Sequence, residues 1–203
     1  MSTRWKILGR SRLIPPPADW RQALASRLGA RPRRIGPWAE LALFGALACV
    51  DDAGEQTLPD AALLSLDSAS GPAAVLLDTL EMSRHELPMP IGFLQSQPGQ
   101  VLPVLAKHLG WSGNGRCLAC RDRLAGLRLA CLDADDPAVG VLAGWVEEAG
   151  EGSSVWLRAL AAPAGEGREC LEAATFDTLF DPVVTHFAFA ADGSLRVGRG
   201  GSA

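Results

Sequence analysis

Two cysteines stand close together in the stretch NGRCLACRDRLAGLRLACLDA, which covers residues 114 to 134. Cys117 falls in a short apolar run that predicts a strand, and Cys120 lies where a helical pattern begins. A CxxC spacing suits half of a zinc site, a redox pair, a nucleophile at a helix start, or two buried thiols. Each alternative needs different neighbours, so the rest of the chain bears on the choice.

A structural zinc site needs four ligands, and no second ligand pair at metal spacing accompanies these cysteines. The other candidates stand singly: Cys131, Cys170, His85, His108 and His186. A redox pair would place its first cysteine at an exposed helix start, whereas the pattern leaves Cys117 in the strand. We therefore expect no metal and no cofactor. Two alternatives stay open from the residues alone: Cys120 as a nucleophile at the strand-to-helix turn, and both thiols packed as small apolar groups.

The composition is that of a globular protein. The chain has 203 residues, is 48% hydrophobic and 21% charged, and carries a net charge of -4, which favours one domain and disfavours nucleic-acid binding. No apolar run reaches the roughly 18 residues of a membrane span, and three prolines interrupt the N-terminus where a signal peptide is apolar. We expect a cytoplasmic protein. Its five cysteines are far fewer than the dense cysteines of small secreted disulfide-bonded domains, which fits a reducing compartment. Because the chain contains no Tyr, a tyrosyl acid or base is excluded.

Positive charge is concentrated near the N-terminus. Residues 4 to 34 hold nine Arg or Lys against one Asp, and RPRRIG at 31 to 36 is part of this run. We expect residues 1–30 to form a basic arm, either simply solvated or docking an acidic protein or a phosphate group.

Strand and helix patterns alternate along the middle of the chain. Helices are predicted over PWAELALFGALACV, GPAAVLLDTLEM, QVLPVLAKHLG and CRDRLAGLRLACLDA. Strands are predicted within DAALLSLDSASG, GNGRCLA, AVGVLAGWVEE and SSVWLRALAAP. This order indicates an α/β fold with a largely parallel sheet and one antiparallel edge pair. Further on, the pattern weakens to a hairpin around Asp192 and Gly193 and a frayed tail.

The cysteine segment also resembles a known family. LACRDRLAGLRLA, residues 118 to 130, is similar to the nucleophile segment of β-ketoacyl synthases, whose usual form is T-A-C-S-S followed by an apolar helix. In that register Cys120 takes the place of the acyl-accepting cysteine. Three flanking segments resemble the family in the same order, so that the resemblance covers roughly residues 30 to 165: RRIGPWAELALFGALACVDDAG, FLQSQPGQVLPVLAKHLGWSGNG and AVGVLAGWVEE.

The resemblance implies the N-terminal half of a thiolase-like fold, with a mixed, mostly parallel five-stranded sheet and helices on both faces. It suggests one domain over 1–203, with the basic arm at 1–30, a core over about 31–165 and a weakly patterned C-terminal extension at 166–203. In the family, the histidines of decarboxylative condensation lie in the other half, which no segment here resembles. Arg121, Asp122 and Arg123 replace the small residues that follow the family's cysteine, and Arg121 could favour a thiolate at Cys120.

By resemblance, the chain is expected to be a ketosynthase-like accessory subunit of fatty-acid- or polyketide-type biosynthesis, of the kind found in aryl polyene clusters, and unable to condense alone. The alternative is a cysteine-dependent acyltransferase or thioester hydrolase using Cys120. In a lone half, an apolar face of the helix after Cys120 would point outward, formed by Leu124, Leu127, Ala130 and Cys131. That face predicts a homodimer or a complex with a complete ketosynthase. The basic arm would suit an acidic acyl carrier protein.

Overall fold

One mixed sheet of eight strands organises the part of the chain that the structure describes. The structure is a computed structural model that describes residues 3–85, 90–163 and 171–200. Its strands are β1 Arg4–Leu13, β2 Leu63–Ser68, β3 Gly115–Ala119, β4 Val141–Glu147, β5 Ser153–Ala161, β6 Glu172–Ala173, β7 Val184–Phe189 and β8 Leu195–Arg199. The helices are α1 Trp20–Leu28, α2 Pro37–Asp52, α3 Ala73–His85, α4 Pro90–Gln95, α5 Val101–Leu109 and α6 Arg123–Leu132. Short 3₁₀ turns occupy Pro98–Gln100 and Phe176–Phe180.

The strands follow the order β3-β2-β4-β5-β1-β7-β8-β6. Strand β2 lies between β3 and β4 and is parallel to both, and the other neighbouring pairs are antiparallel. The predicted α/β class, with a mixed sheet and helices on both faces, is confirmed. The sheet nevertheless has eight strands where five were expected, and its pairing is mainly antiparallel because β1 and the C-terminal strands join it.

The N-terminal segment is not the basic arm expected for residues 1–30. Residues 4–13 form β1, which pairs with β5 on one side and β7 on the other, inside the sheet. Burial alternates along the strand, so Trp5 and Ile7 are buried while the residues between them are partly exposed. The cations of this segment occupy the positions between buried residues, as the two-residue period of a strand requires. The prediction of an arm rested on the number of positive charges, whereas the alternation of buried and exposed residues over 4–13 indicates a strand.

Two apolar cores lie on opposite faces of the sheet. The first packs α1, α2 and α5 against the sheet, and Trp38, Leu105 and Trp156 are among its buried side chains. The second lies under α6 and includes Leu179, Phe187 and other residues of the C-terminal segment. The hairpin predicted around Asp192 and Gly193 is confirmed as the β7–β8 connection, and it supplies part of this second core.

The orientation of α6 differs from the expected one. Leu127, Ala130 and Cys131 are buried against the sheet in the second core, and Leu124 packs against the same core. The outward residues are instead Leu129 and Leu132, which are 43% and 68% exposed. The prediction of an outward apolar face is wrong because the sheet and the C-terminal strands cover that face within the chain itself.

Candidate functional site

The carboxyl ends of β2, β3 and β4 meet at one edge of the sheet, because these three strands run parallel. In open α/β sheets this edge is the usual place for a ligand site. Cys120 follows β3 at this edge, and its backbone N–H donates to the carbonyl oxygen of Ser68 at the end of β2, 3.0 Å away. The structure therefore places Cys120 where the sequence pattern put it, between a strand and a helix.

The thiol of Cys120 is bound to the loop that follows it. Its Sγ donates to the backbone carbonyl oxygen of Asp122 at 3.2 Å. Helix α6 starts at Arg123, and the side chain of Asp122 caps it by accepting from the N–H of Leu124 at 2.9 Å. A carboxylate therefore occupies the positive end of the helix, where a nucleophilic thiolate would otherwise be stabilised.

The two arginines beside Asp122 have separate surroundings. The guanidinium of Arg123 lies over the ring of Trp145, 5.6 Å from the ring centre, and 3.9 Å from the carboxylate of Asp177. Arg121 is exposed. Arg123 therefore serves packing between α6, β4 and the 3₁₀ turn at Phe176–Phe180, in place of the small residue of the family pattern.

No imidazole is bonded to Cys120 within the described ranges, where its hydrogen bonds run to Ser68 and Asp122. His186 lies on β7, five strand positions from β3, which corresponds to about 24 Å across the sheet. His108 lies on α5. Cys170, another residue considered as a metal ligand, lies outside the described residues. A general base for Cys120 is therefore not supplied by His108 or His186 through a direct hydrogen bond.

Cys117 has the surroundings of a packing residue. It is half-buried in β3, and its thiol donates to the carbonyl oxygen of Pro98 at 3.5 Å. Burial raises the pKa of Cys117 to about 12, and the nearby charge of Asp67 adds to the rise. In the part of the chain that the structure describes, no group of three or more His, Cys, Asp or Glu side chains could hold a metal ion.

An apolar cavity of about 270 Å³ lies beside the Cys120 turn. Trp38 and Leu66 form part of its wall, and Cys117, Leu118 and Ala119 of β3 form another part. The loop after β2 completes it and is held by Glu147. That carboxylate accepts from the N–H of Ala69, from the N–H of Ser70 at 3.3 Å and from the Ser70 hydroxyl at 2.6 Å. The cavity could hold a small apolar group.

A buried carboxylate, that of Asp67, lies under α6 and was not among the residues predicted from the sequence. Asp67 of β2 is 4% exposed, and burial raises its pKa to about 6, although Arg116 and a hydrogen bond from Ser65 oppose the rise. Its Oδ2 lies directly against Gly126 of α6, at a place that a Cβ would overlap. The sequence signal was present, because an aspartate inside the apolar run LLSLDS is unusual for a buried strand.

Comparison with solved structures defines the class of fold. The fold is the thiolase-like fold of ketosynthases. In a complex of the ketosynthase ApeO with its chain length factor ApeC from Xenorhabdus doucetiae, one chain matches with a TM-score of 0.53 at 14% identity, and the match covers 98% of both chains. That chain is therefore nearly as long as this one.

Two further structures match over part of their length. The type II polyketide ketosynthase AntDE, bound to its acyl-carrier protein AntF, matches with a TM-score of 0.57 at 9% identity over 79% of this chain and 64% of that chain. A β-ketoacyl synthase from Burkholderia phymatum matches with a TM-score of 0.50 at 13% identity over 79% of this chain and 59% of that chain. This chain thus spans less than two thirds of either relative.

Comparison of the sequence with known families and proteins gives no match. No protein-family model matches the chain, and no curated protein matches it.

Among the helices of the described residues, none has the length and apolar character needed to cross a membrane.

Proposed function

We propose that this chain is a ketosynthase-like accessory subunit of fatty-acid- or polyketide-type biosynthesis, of the aryl polyene kind, and that it acts by binding a complete ketosynthase. The observation that carries the proposal is the end-to-end structural match to one chain of a complex between a ketosynthase and its chain length factor. Partial matches to ketosynthases of greater length agree with the same class. An acyl carrier protein is a second proposed partner, and a homodimer is the alternative assembly.

The surroundings of Cys120 support a role without condensation. Its thiol is a hydrogen-bond donor to Asp122, and the helix end beside it is capped by a carboxylate. Condensation would also need an acid or base next to the reacting carbonyl. The alternative of a Cys120-dependent acyltransferase or thioester hydrolase rests on the position of Cys120 directly after Ala119, which lines the apolar cavity.

An exposed apolar surface on α3 and α4 supports a protein partner. Leu77 and Leu80 of α3 are 65% and 52% exposed, and Phe93 and Leu94 of α4 are 59% and 51% exposed. Clusters of large exposed apolar side chains mark interaction sites in soluble proteins. We propose that the ketosynthase covers this α3–α4 surface.

Co-expression with the ketosynthase encoded nearest to its gene tests the proposal. The tagged chain is expected to retain that ketosynthase through affinity and size-exclusion steps as one complex. The double variant Leu77→Glu with Phe93→Glu should lose the partner, whereas Leu132→Glu, an equally exposed apolar residue on α6, should keep it. A wild-type chain that elutes alone or only as a homodimer contradicts the proposal.

A further inference from the structure

A groove of about 600 Å³ lies between the C-terminal end of α6, the start of β1 and the turn that joins β7 to β8. Trp5, Cys131 and Phe189 contribute to its apolar lining, and Ala190 and Ala191 line it beside the turn. Small-molecule sites in proteins typically have volumes of roughly 300–1,000 Å³. The groove is therefore large enough for a small organic ligand.

This groove is separate from the Cys120 turn. Cys120 precedes α6, whereas Cys131 belongs to the last turn of that helix. The helix has 10 residues, which corresponds to a length of about 15 Å. Within the described ranges, the groove also shares no lining residue with the apolar cavity beside the Cys120 turn. A ligand in the groove would therefore not contact Cys120.

The aromatic side chains of the groove are held in place by the second core. Trp5 and Phe187 stack with their ring centres 6.3 Å apart, and Phe187 meets Phe189 edge-on at 5.9 Å. Trp5 and Phe187 are buried members of this core, and Phe189 packs against it. The apolar lining is therefore preformed, so a ligand could bind against it without first ordering these rings.

Arg128 supplies the positive charge of the groove. Its guanidinium lies over the β7–β8 turn, with Nη1 so close to Gly193 that a Cβ there would overlap it. Gly193 has a φ of 85°, in the left-handed region that favours glycine. Glycine at this position thus permits the turn and also leaves room for the guanidinium beside the groove.

No carboxylate in the part of the chain that the structure describes forms an ion pair with Arg128. The acidic residues close to it in sequence or at the turn have other partners. Asp133, just after α6, contacts Arg116, and Asp192 accepts from the N–H and the hydroxyl of Ser194 at 2.9 and 2.7 Å. The guanidinium is therefore available to an anion that enters the groove.

We propose that this groove binds a small monocarboxylic acid with an apolar body. The carboxylate would pair with Arg128, and the apolar body would lie against Trp5 and Phe189. A guanidinium matches a carboxylate because its planar fork can donate two parallel N–H bonds. One cation beside an apolar surface suits a ligand with a single negative charge. The site goes beyond the proposed function and does not depend on it.

The test is isothermal titration calorimetry of the full-length chain with octanoate near neutral pH, where the acid is ionised. We expect saturable binding with a Kd below about 1 mM. Octylamine has the same apolar chain and the opposite charge, and it should bind at least about tenfold more weakly. Arg128→Gln should weaken octanoate binding at least about tenfold, because the charge-assisted hydrogen bonds are lost. Arg199→Gln, which removes an exposed cation at the end of β8, should stay within about twofold of wild type.

A second pair of variants tests the location of the ligand. Ala191→Trp adds a large ring to the lining at an exposed turn position and should also weaken octanoate binding. Ala191→Ser, of similar size to the native residue, should leave the Kd within about twofold of wild type.

Three results would overturn the proposal: no saturable binding of octanoate, equal binding of octylamine, or an unchanged Kd in Arg128→Gln. An unchanged Kd in that variant would place octanoate elsewhere, such as the apolar cavity beside the Cys120 turn. Should Arg128→Gln unfold, Arg128→Lys keeps the charge without the planar fork and should bind octanoate more weakly than wild type. Binding by Arg128→Lys equal to that of wild type contradicts the assigned fork contact.

Discussion

The Sγ of Cys120 donates a hydrogen bond to the carbonyl oxygen of Asp122, 3.2 Å away and two residues further along the chain. The same Asp122 caps α6 through its side chain, so one residue holds both the thiol and the helix end beside it. A cysteine that serves as a nucleophile instead needs a stabilised thiolate and a base to receive its proton. The contacts of Cys120 in this structure therefore differ from those that a nucleophilic cysteine needs.

Incubation with an acyl thioester should leave the isolated chain unmodified at Cys120. The thiol is held as a donor, and the helix end that would stabilise a thiolate is occupied by Asp122. Intact-mass spectrometry measures the outcome directly. An acyl adduct that disappears in Cys120→Ala would favour the acyltransferase alternative.

Replacing Gly126 by alanine should destabilise the protein by about 1–3 kcal/mol, because the new Cβ would overlap the Oδ2 of Asp67. At an ordinary helix position the same change would be stabilising by up to about 1 kcal/mol, so the sign of the effect is diagnostic. Denaturant unfolding gives the free energy.

Gly99→Ala is the control for the contact between Gly126 and Asp67, since nothing lies within 4 Å of a Cβ at Gly99. It should be close to neutral. In the Asp67→Ala background, Gly126→Ala should lose most of its cost. Equal destabilisation by Gly126→Ala in both backgrounds would place the strain somewhere other than the Asp67 contact.

Asp67 should make the protein less stable as pH rises. Its pKa in the folded protein is about 6 against an ordinary 3.8, so between these values the folded state binds more protons than the unfolded state. Stability should therefore fall across this window, by at most about 3 kcal/mol, and the loss should be complete above it. The measurement is the unfolding free energy at a series of pH values.

Asp67→Asn should remove this fall, while Asp19→Asn, which changes an exposed aspartate, should retain it. An unchanged pH profile in Asp67→Asn would mean that other groups carry the dependence.

Arg158 should be among the most sensitive residues for stability. Its side chain is 2% exposed, donates twice to the carboxylate of Glu55 at 2.9 Å, and also reaches the carbonyl oxygen of Val139 at 2.8 Å. Arg158→Met leaves these acceptors unsatisfied, and we expect a loss of about 3–5 kcal/mol in unfolding free energy. Arg27→Met breaks the exposed pair with Asp51 and should cost less than about 1 kcal/mol. Similar losses for the two variants would contradict this distinction between buried and surface pairs.

Much of the central fold was predictable from local pattern. The apolar spacing of PWAELALFGALACV predicted α2, and the runs around Leu66, Cys117 and Val146 predicted three strands that the structure contains. Strand β1 was not predicted, because the positive charges of this segment were interpreted as a solvated arm. The buried residues Trp5 and Ile7 alternate with the cations, as they do in a strand.

Other features depend on contacts between distant segments. The buried face of α6 is covered partly by Leu179 and Phe187, which belong to a stretch with weak local pattern. The hydrogen bond of Cys120 depends on the path of the loop between β3 and α6, and residue type alone does not fix that path. The pairing of Asp67 with Gly126 likewise joins a strand and a helix that are separated by the whole of α3 to β3.

The most direct test of the proposed role is the condensation rate of the partner ketosynthase, measured with an acyl-loaded carrier protein in the presence of this chain. We predict that omitting the chain abolishes or strongly reduces product, and that Cys120→Ala supports the same rate as wild type. A rate that falls with Cys120→Ala, in a variant that still binds the ketosynthase, would show that the cysteine takes part in the chemistry and would contradict the accessory role.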